Sequence, residues 1–221
     1  MQIFLDTANL EHIRHGVDLG VVLGVTTNPS LVSKEGKADY KALVKQICSI
    51  VPGPVSTEVL SQESGGMIAE AREIATWAEN VAVKIPCTLA GLTATSVLAR
   101  ENMQVNMTLC FSLNQAMLAA AAGAAFISPF VGRLDDIGED GMQLVVDIVD
   151  YFRYYNVPTR VIAASIRHTS HCLSASKAGA HIATVPYKVL LQMIEHPLTD
   201  AGVRRFAEDW HKVMGDSGVL P

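Results

Sequence analysis

Eight short runs rich in apolar and β-branched residues recur along the chain: QIFLD, VVLGVTT, PVSTEVL, NVAVKIP, QVNMTL, AFISPF, TRVIAAS and HIATVP. Each has the length and composition of a strand. Between them lie amphipathic or alanine-rich stretches, clearest at residues 39–50, 64–78, 89–101, 112–122 and 140–155. Strand and helix thus alternate at about 25 residues per unit, and the simplest closed form of that alternation is an α/β fold, a (β/α)8 barrel. An open doubly wound sheet would usually carry a glycine-rich first turn, and no GxGxxG or P-loop pattern follows any of the eight runs. No Pro/Gly/Ser-rich linker or composition shift divides the chain, so residues 1–221 read as one domain. After the eighth strand and a short helix near 188–195, Pro197 breaks the chain and Thr199 reads as the N-cap of an extension over about 198–214. Val203, Phe206, Trp210 and Val213 fall on one face of it. Such a face either packs on its own barrel or docks on a neighbouring subunit.

Side chains in a barrel strand alternate between the interior and the helix layer. In VAVKIP, Val81, Val83 and Ile85 suit the helix layer, and Ala82 and Lys84 share the inward phase, which puts an amine at the strand's C-terminal end. The same phasing brings in Asp6 after Phe4, Thr26 and Asn28 after Gly24, and Glu58 after Ser56. It also brings in Asn106 and Thr108 after Gln104, Ser128 after Phe126, and Ser165 after Ala163. Seven strands aim polar groups at one mouth, the face on which barrel enzymes assemble their sites. A lone buried lysine is most often half of an ion pair, here with Asp6 or Glu58. Apolar walls strip water from the ammonium and favour the neutral nucleophile that imine chemistry needs, while adjacent carboxylates favour the charged form. Those carboxylates are also the proton carriers that imine formation and carbon–carbon cleavage require.

Composition narrows the classes. The chain is 49% hydrophobic and 18% charged with a formal net charge of -5, and no Lys/Arg run forms a basic stripe, which argues against nucleic acid as a partner. Its longest apolar stretch, residues 116–127, is shorter than the ~20 residues of a bilayer span. The opening MQIFLDTANL lacks the basic and apolar regions of a secretory signal, so a cytoplasmic location is expected. Cys48, Cys87, Cys110 and Cys172 are scattered without a CxxC pair and read as reduced, mostly buried thiols, with Cys87 packing as a small hydrophobe. His168 and His171 in RHTSH lack a third ligand at sensible spacing; no metal site is expected.

The stretches LDTAN (5–9), GVTTNPS (24–30), VKIP (83–86) and SPFVGRLDD (128–136) together make the chain resemble the short-form transaldolases, nearly end to end. The resemblance implies a Schiff-base lysine at Lys84, a proton-transferring Asp6, and Glu58 with Thr108 handling the catalytic water. Thr26, Asn28, Asn106 and Ser128 would hold substrate hydroxyls or order the lysine. Arg133, Ser165 and Arg167 match the family's phosphate-binding positions, in line with phosphate binding after the seventh strand of a barrel. From the residues alone, Arg133 could equally pair with Asp135 or Asp136, and Arg167 could be a solvated loop charge. A close relative within the family, fructose-6-phosphate aldolase, tends to carry glutamine where this chain has Glu58 and tyrosine where it has Phe130, so the transaldolase reaction is favoured. Its implied substrates are the small-molecule sugar phosphates: fructose 6-phosphate or sedoheptulose 7-phosphate as donor, erythrose 4-phosphate or glyceraldehyde 3-phosphate as acceptor. The iminium serves as electron sink, so no cofactor is implied. The resemblance also implies a place in the pentose phosphate pathway and a homo-oligomer, a pentamer or decamer. The competing readings are aldolase release of free dihydroxyacetone and a non-catalytic barrel that binds sugar phosphates.

Overall fold

A computed structural model describes residues 1–36 and 39–214. The strands are β1 (Gln2–Asp6), β2 (Val22–Thr26), β3 (Val55–Glu58), β4 (Val81–Pro86), β5 (Val105–Cys110), β6 (Phe126–Pro129), β7 (Arg160–Ala163) and β8 (Ile182–Val185). Each lies parallel to its sequence neighbours and β8 returns to β1, closing a (β/α)8 TIM barrel. Around it run α1 (Leu10–Asp18), α2 (Pro29–Lys34), α3 (Tyr40–Ile50), α4 (Ser64–Ala75), α5 (Leu89–Arg100) and α6 (Leu113–Ala121). The chain continues through α7 (Val131–Asp135), α8 (Gly141–Tyr154), α9 (Thr169–Ala178), α10 (Tyr187–Gln192) and α11 (Pro197–Met214). Several helices begin where a short polar side chain accepts a first-turn amide: Asn9, Asp39, Thr88, Ser112 and Asp140. Among the described residues no helix is long and apolar enough to cross a membrane.

The alternation within the strands divides the core in two. Leu5, Val25, Val83, Ile85, Met107 and Ile127 face the helices in the outer cluster. Phe4, Ala82, Phe126, Ile162 and Ile182 fill the barrel interior as a separate plug. Gly24 makes room for that plug, since a Cβ there would stand 2.6 Å from the Phe4 ring. Below it, Arg160 donates to Gln2 Oε1 at 2.5 Å and lays its guanidinium 5.7 Å from the Phe126 ring centroid. Above the plug, at the C-terminal mouth, the polar groups of the strand ends converge.

The expected phase fails on β7. Ile162 fills the interior and Ala163 belongs to the outer core. Ser165 still reaches the mouth, because it lies beyond the end of the strand and takes a left-handed backbone, φ 59°. The expected start of the extension is also corrected: α11 begins at Pro197, with His196 Nδ1 accepting from the Leu198 amide at 3.2 Å, so Thr199 lies within the first turn and is not its N-cap. Among the described residues, packing of the apolar face of α11 on its own barrel is not observed: Val203, Phe206 and Val213 are more than 60% exposed and Trp210 is 39% exposed.

Candidate active site

Strand register sets the heights of the polar groups. Glu58 is paired with Lys84, and Lys84 with Asn106, so three of them are register neighbours on β3, β4 and β5. Asp6 and Thr26 are level with one another on β1 and β2. The Lys84 side chain is 6% exposed; its Nζ donates to the Thr27 carbonyl at 3.1 Å and lies 3.2 Å from Glu58 Oε2. The buried amine thus has a charged partner that is itself partly open to water through the mouth, the arrangement a buried cation needs. Across the mouth, Thr26 Oγ1 donates to Asp6 Oδ1 at 2.8 Å and meets the Thr184 hydroxyl at 2.6 Å. Burial raises the Asp6 carboxyl above its ordinary range, against the Thr26 hydrogen bond and the Lys84 and Lys34 charges, which pull it down. Beneath the lysine, Ser128 Oγ donates to Asn106 Oδ1 at 2.7 Å and Asn106 Nδ2 donates to Ser56 Oγ at 3.0 Å, a satisfied polar layer resting on the plug.

Two adjoining recesses open above this floor and share Lys84, Asn28, Phe130 and Arg133. Asp6, Thr26, Ser128, Ser165 and Arg167 line the first, Glu58 and Thr108 the second. Of the expected site residues Asn106 alone lines neither, since it is fully buried in the layer below. Asn28 spends Oδ1 on the Leu31 amide at 3.0 Å, capping α2, which leaves its amide group for the cavity. The Thr108 hydroxyl has no hydrogen-bond partner among the described residues, although buried hydroxyls normally have one.

The two arginines stand at the rim, but their neighbours are the reverse of the residue-level alternatives. Arg167 pairs with Asp136 at 2.8 Å, and Arg133 sits 5.1 Å from the Phe130 ring centroid. The segments that carry them touch through backbone: the Gly132 amide donates to the Ser165 carbonyl at 3.1 Å, and a Cβ on Gly132 would come within 2.3 Å of that oxygen. His171 is buried between these segments. Its Nε2 lies 3.0 Å from Asp135 Oδ2, and its Nδ1 accepts from the Arg167 amide at 3.3 Å. His168 lies against the same ring, 3.7 Å between centroids, and no group of three or more His, Cys, Asp or Glu side chains suited to a metal ion occurs among the described residues.

Thr184 and Ser56 were not singled out from the sequence. Thr184 shares the inward phase of Ile182, so HIATVP carried its signal, and the eighth strand also contributes to the mouth. All four cysteines are free thiols, three buried, and Cys87 packs against the outer core. Burial pushes the Cys48 thiol up to about 11.

A closed parallel barrel with a buried lysine, two carboxylates and two rim arginines at its C-terminal mouth defines a class: barrel enzymes that act from their strand ends. The comparisons resolve the class further. Residues 3–217 match the family model described as Transaldolase/Fructose-6-phosphate aldolase. A protein of Dehalococcoides mccartyi named "Probable transaldolase" is 60% identical over 215 residues, 97% of this chain and 100% of its own. One of Thermoanaerobacter sp. with the same name is 58% identical over 212 residues, 96% and 98% of the two chains. The chain belongs to the transaldolase/fructose-6-phosphate aldolase family and is an enzyme of the aldolase/transaldolase type.

Proposed function

We propose that the protein is a Schiff-base transaldolase that moves a dihydroxyacetone unit from a ketose phosphate to an aldose phosphate. The observation that carries the reading is the buried Lys84 Nζ, 3.2 Å from Glu58, on the floor of a cavity that has Asp6 on one wall and Arg133 and Arg167 at its rim. An amine on the floor and guanidinium groups at the rim suit a substrate with a carbonyl at one end and a phosphate at the other.

In this reading the substrate phosphate binds Ser165 and the guanidinium forks of Arg133 and Arg167. The C2 ketone of fructose 6-phosphate or sedoheptulose 7-phosphate then meets Lys84. The amine adds to C2, and the carbinolamine loses its oxygen as water, with the proton supplied through Glu58 and the water held between Glu58 and the unpartnered Thr108 hydroxyl. Thr26, Asn28 and Ser128 hold the substrate hydroxyls, and Asn106 orders the layer beneath the lysine. Asp6 takes the C4 hydroxyl proton, the C3–C4 bond breaks, and its electrons pass into the iminium to give an enamine on Lys84. The first aldose phosphate leaves; erythrose 4-phosphate or glyceraldehyde 3-phosphate binds the same arginines and is attacked by the enamine. Glu58 and Phe130, in place of the glutamine and tyrosine of the aldolase type, favour transfer over release.

The cytoplasm and the pentose phosphate pathway are the setting this reaction fits. We also propose a homo-oligomer in which α11 lays its apolar face on another copy, because Phe206, Val203 and Val213 are otherwise left in water. Sedimentation should give a mass several times that of the chain, reduced to one chain by Phe206→Glu.

The deciding experiment follows glyceraldehyde 3-phosphate release from fructose 6-phosphate with and without erythrose 4-phosphate, with Lys84→Ala as control. Release that requires the acceptor and vanishes in the variant supports the transaldolase. Sustained release without acceptor means an aldolase. No borohydride-trapped three-carbon adduct on Lys84 means a non-catalytic barrel.

A further inference from the structure

We propose that His171, which lines neither recess, is a positioning residue for phosphate binding. It ties α7, which carries Arg133, to the loop after β7, which carries Ser165 and Arg167. This inference rests on the assignment of the two arginines to the substrate phosphate.

The hydrogen-bond directions fix how the imidazole works. The Arg167 amide can only donate, so Nδ1 must be an acceptor and bare of a proton. The single proton of the neutral ring is then on Nε2, facing Asp135 Oδ2. Asp135 is itself anchored, since its Oδ1 accepts from the Gly141 amide at 3.1 Å, at the start of α8. One ring thereby links a fixed carboxylate on α7 to the backbone nitrogen of a rim arginine. The segments are also tied by the Arg167–Asp136 ion pair and by backbone, from Gly132 and Val131 to the Ser165 and Ala164 carbonyls, two and three residues before Arg167. Beyond Ser165, Ile166 is anchored in the outer core and the Arg167 amide is held by this imidazole. The Arg167 side chain leans on Asp136 of the same α7 region, so a shift of the loop would carry the guanidinium away from Arg133. Two forks must converge on one tetrahedral anion, and a displacement of about 1 Å is enough to weaken such a site.

The clamp is sensitive to acid. Protonation of Nδ1 removes the acceptor and sets an N–H against the Arg167 N–H. The groups facing the ring are Asp135 from α7, Arg167 from the loop, and His168 at the start of α9, with Asp136 acting through Arg167. Burial holds the His171 pKa below its ordinary value, and His168 and Arg167 push the same way against Asp135, so the neutral, clamping form prevails at pH 7.

The experiment measures half-saturation of borohydride-trapped adduct on Lys84 for fructose 6-phosphate and for dihydroxyacetone, and the affinity for inorganic phosphate by calorimetry, in the wild type, His171→Leu and His171→Asn. In His171→Leu the fructose 6-phosphate and inorganic phosphate constants should weaken about tenfold, the effect of a lost buried hydrogen bond, while dihydroxyacetone stays within twofold. His171→Asn, whose amide oxygen can replace Nδ1, should recover most of the loss. Between pH 7.5 and about 5.5 the wild type should weaken for fructose 6-phosphate more steeply than His171→Asn, since ionisation of the phosphate is common to both. Unchanged phosphate constants in His171→Leu overturn the clamp, as does equal weakening for dihydroxyacetone. If His171→Leu does not fold, equal pH slopes for the wild type and His171→Asn overturn it. A wild type that binds phosphate but traps no adduct would instead count against the lysine chemistry; one that binds no phosphate refutes the arginine assignment and this inference with it.

Discussion

Neutralising Glu58 tests whether the lysine and carboxylate act as one unit. At 3.2 Å and an effective dielectric near 20, the Lys84–Glu58 attraction is about 5 kcal/mol. Desolvation of an ammonium that is nearly out of water offsets much of this, and the Glu58 side chain, 16% exposed, keeps some contact with solvent. A net coupling of about 2–3 kcal/mol remains. Glu58→Gln should therefore destabilise the protein by about that amount, a fall of roughly 5–10 °C in Tm for a domain of this size. The same change in a Lys84→Met background should cost less than about 1 kcal/mol, because there is no buried cation left to abandon. Denaturant titration of the four proteins gives the cycle directly. Equal losses from Glu58→Gln in both backgrounds would show that the carboxylate is held by water and not by Lys84, and the proton route assigned to it would fall with that result.

Four further outcomes are expected. The acid limb of kcat/KM should include a group titrating above the ordinary carboxylate range and lost in Asp6→Asn, since Asp6 works as a base only when ionised and burial raises its pKa; a limb that persists in the variant belongs to another group. Because a raised carboxyl pKa weakens folding as pH rises through it, Asp6→Asn should also raise Tm at pH 7 but not near pH 3, and a Tm gain that does not depend on pH would contradict this. Phe130→Tyr combined with Glu58→Gln should shift the products towards free dihydroxyacetone, measured as glyceraldehyde 3-phosphate release without acceptor; an unchanged acceptor requirement would mean that these positions do not set the outcome. Gly24→Ala should lower stability by about 1–3 kcal/mol, because a Cβ 2.6 Å from the fully buried Phe4 ring cannot be relieved inside the plug. Urea midpoints read this directly, and a shift below about 0.5 kcal/mol would show that the ring can move.

Most of the mouth was legible in the sequence because a period-2 pattern carries both location and direction. Once Ala82 is placed inward, Lys84 follows, and register supplies Glu58 and Asn106 beside it. The pattern failed where backbone leaves the strand. On β7 the inward residue is Ile162, and Ser165 reaches the cavity through a left-handed turn that no alternation predicts. Leu109, φ 56°, breaks the β5–β6 register in a similar way, turning its own side chain to the recess and Cys110 to the outer core. The partners of charged loop residues were not legible: which arginine pairs with Asp136, and that His171 is buried between their segments, depends on how α7 packs on the loop after β7. Composition placed an apolar face on α11, but only the fold shows that this chain leaves it uncovered.

The plug of Phe4, Ala82, Phe126, Ile162 and Ile182 does more than support the floor. It makes the cavity a blind cup, with one door for everything that enters or leaves. For the proposed reaction the outgoing aldose and the incoming one must therefore use the same passage and the same anion seat in turn, so neither can wait inside for the other. Initial rates at several fixed acceptor concentrations should then give parallel double-reciprocal lines, and the two aldose phosphates should compete for a single form of the enzyme. In the proposed reaction that order would follow from five side chains at the closed end of the barrel, none of which lines either recess.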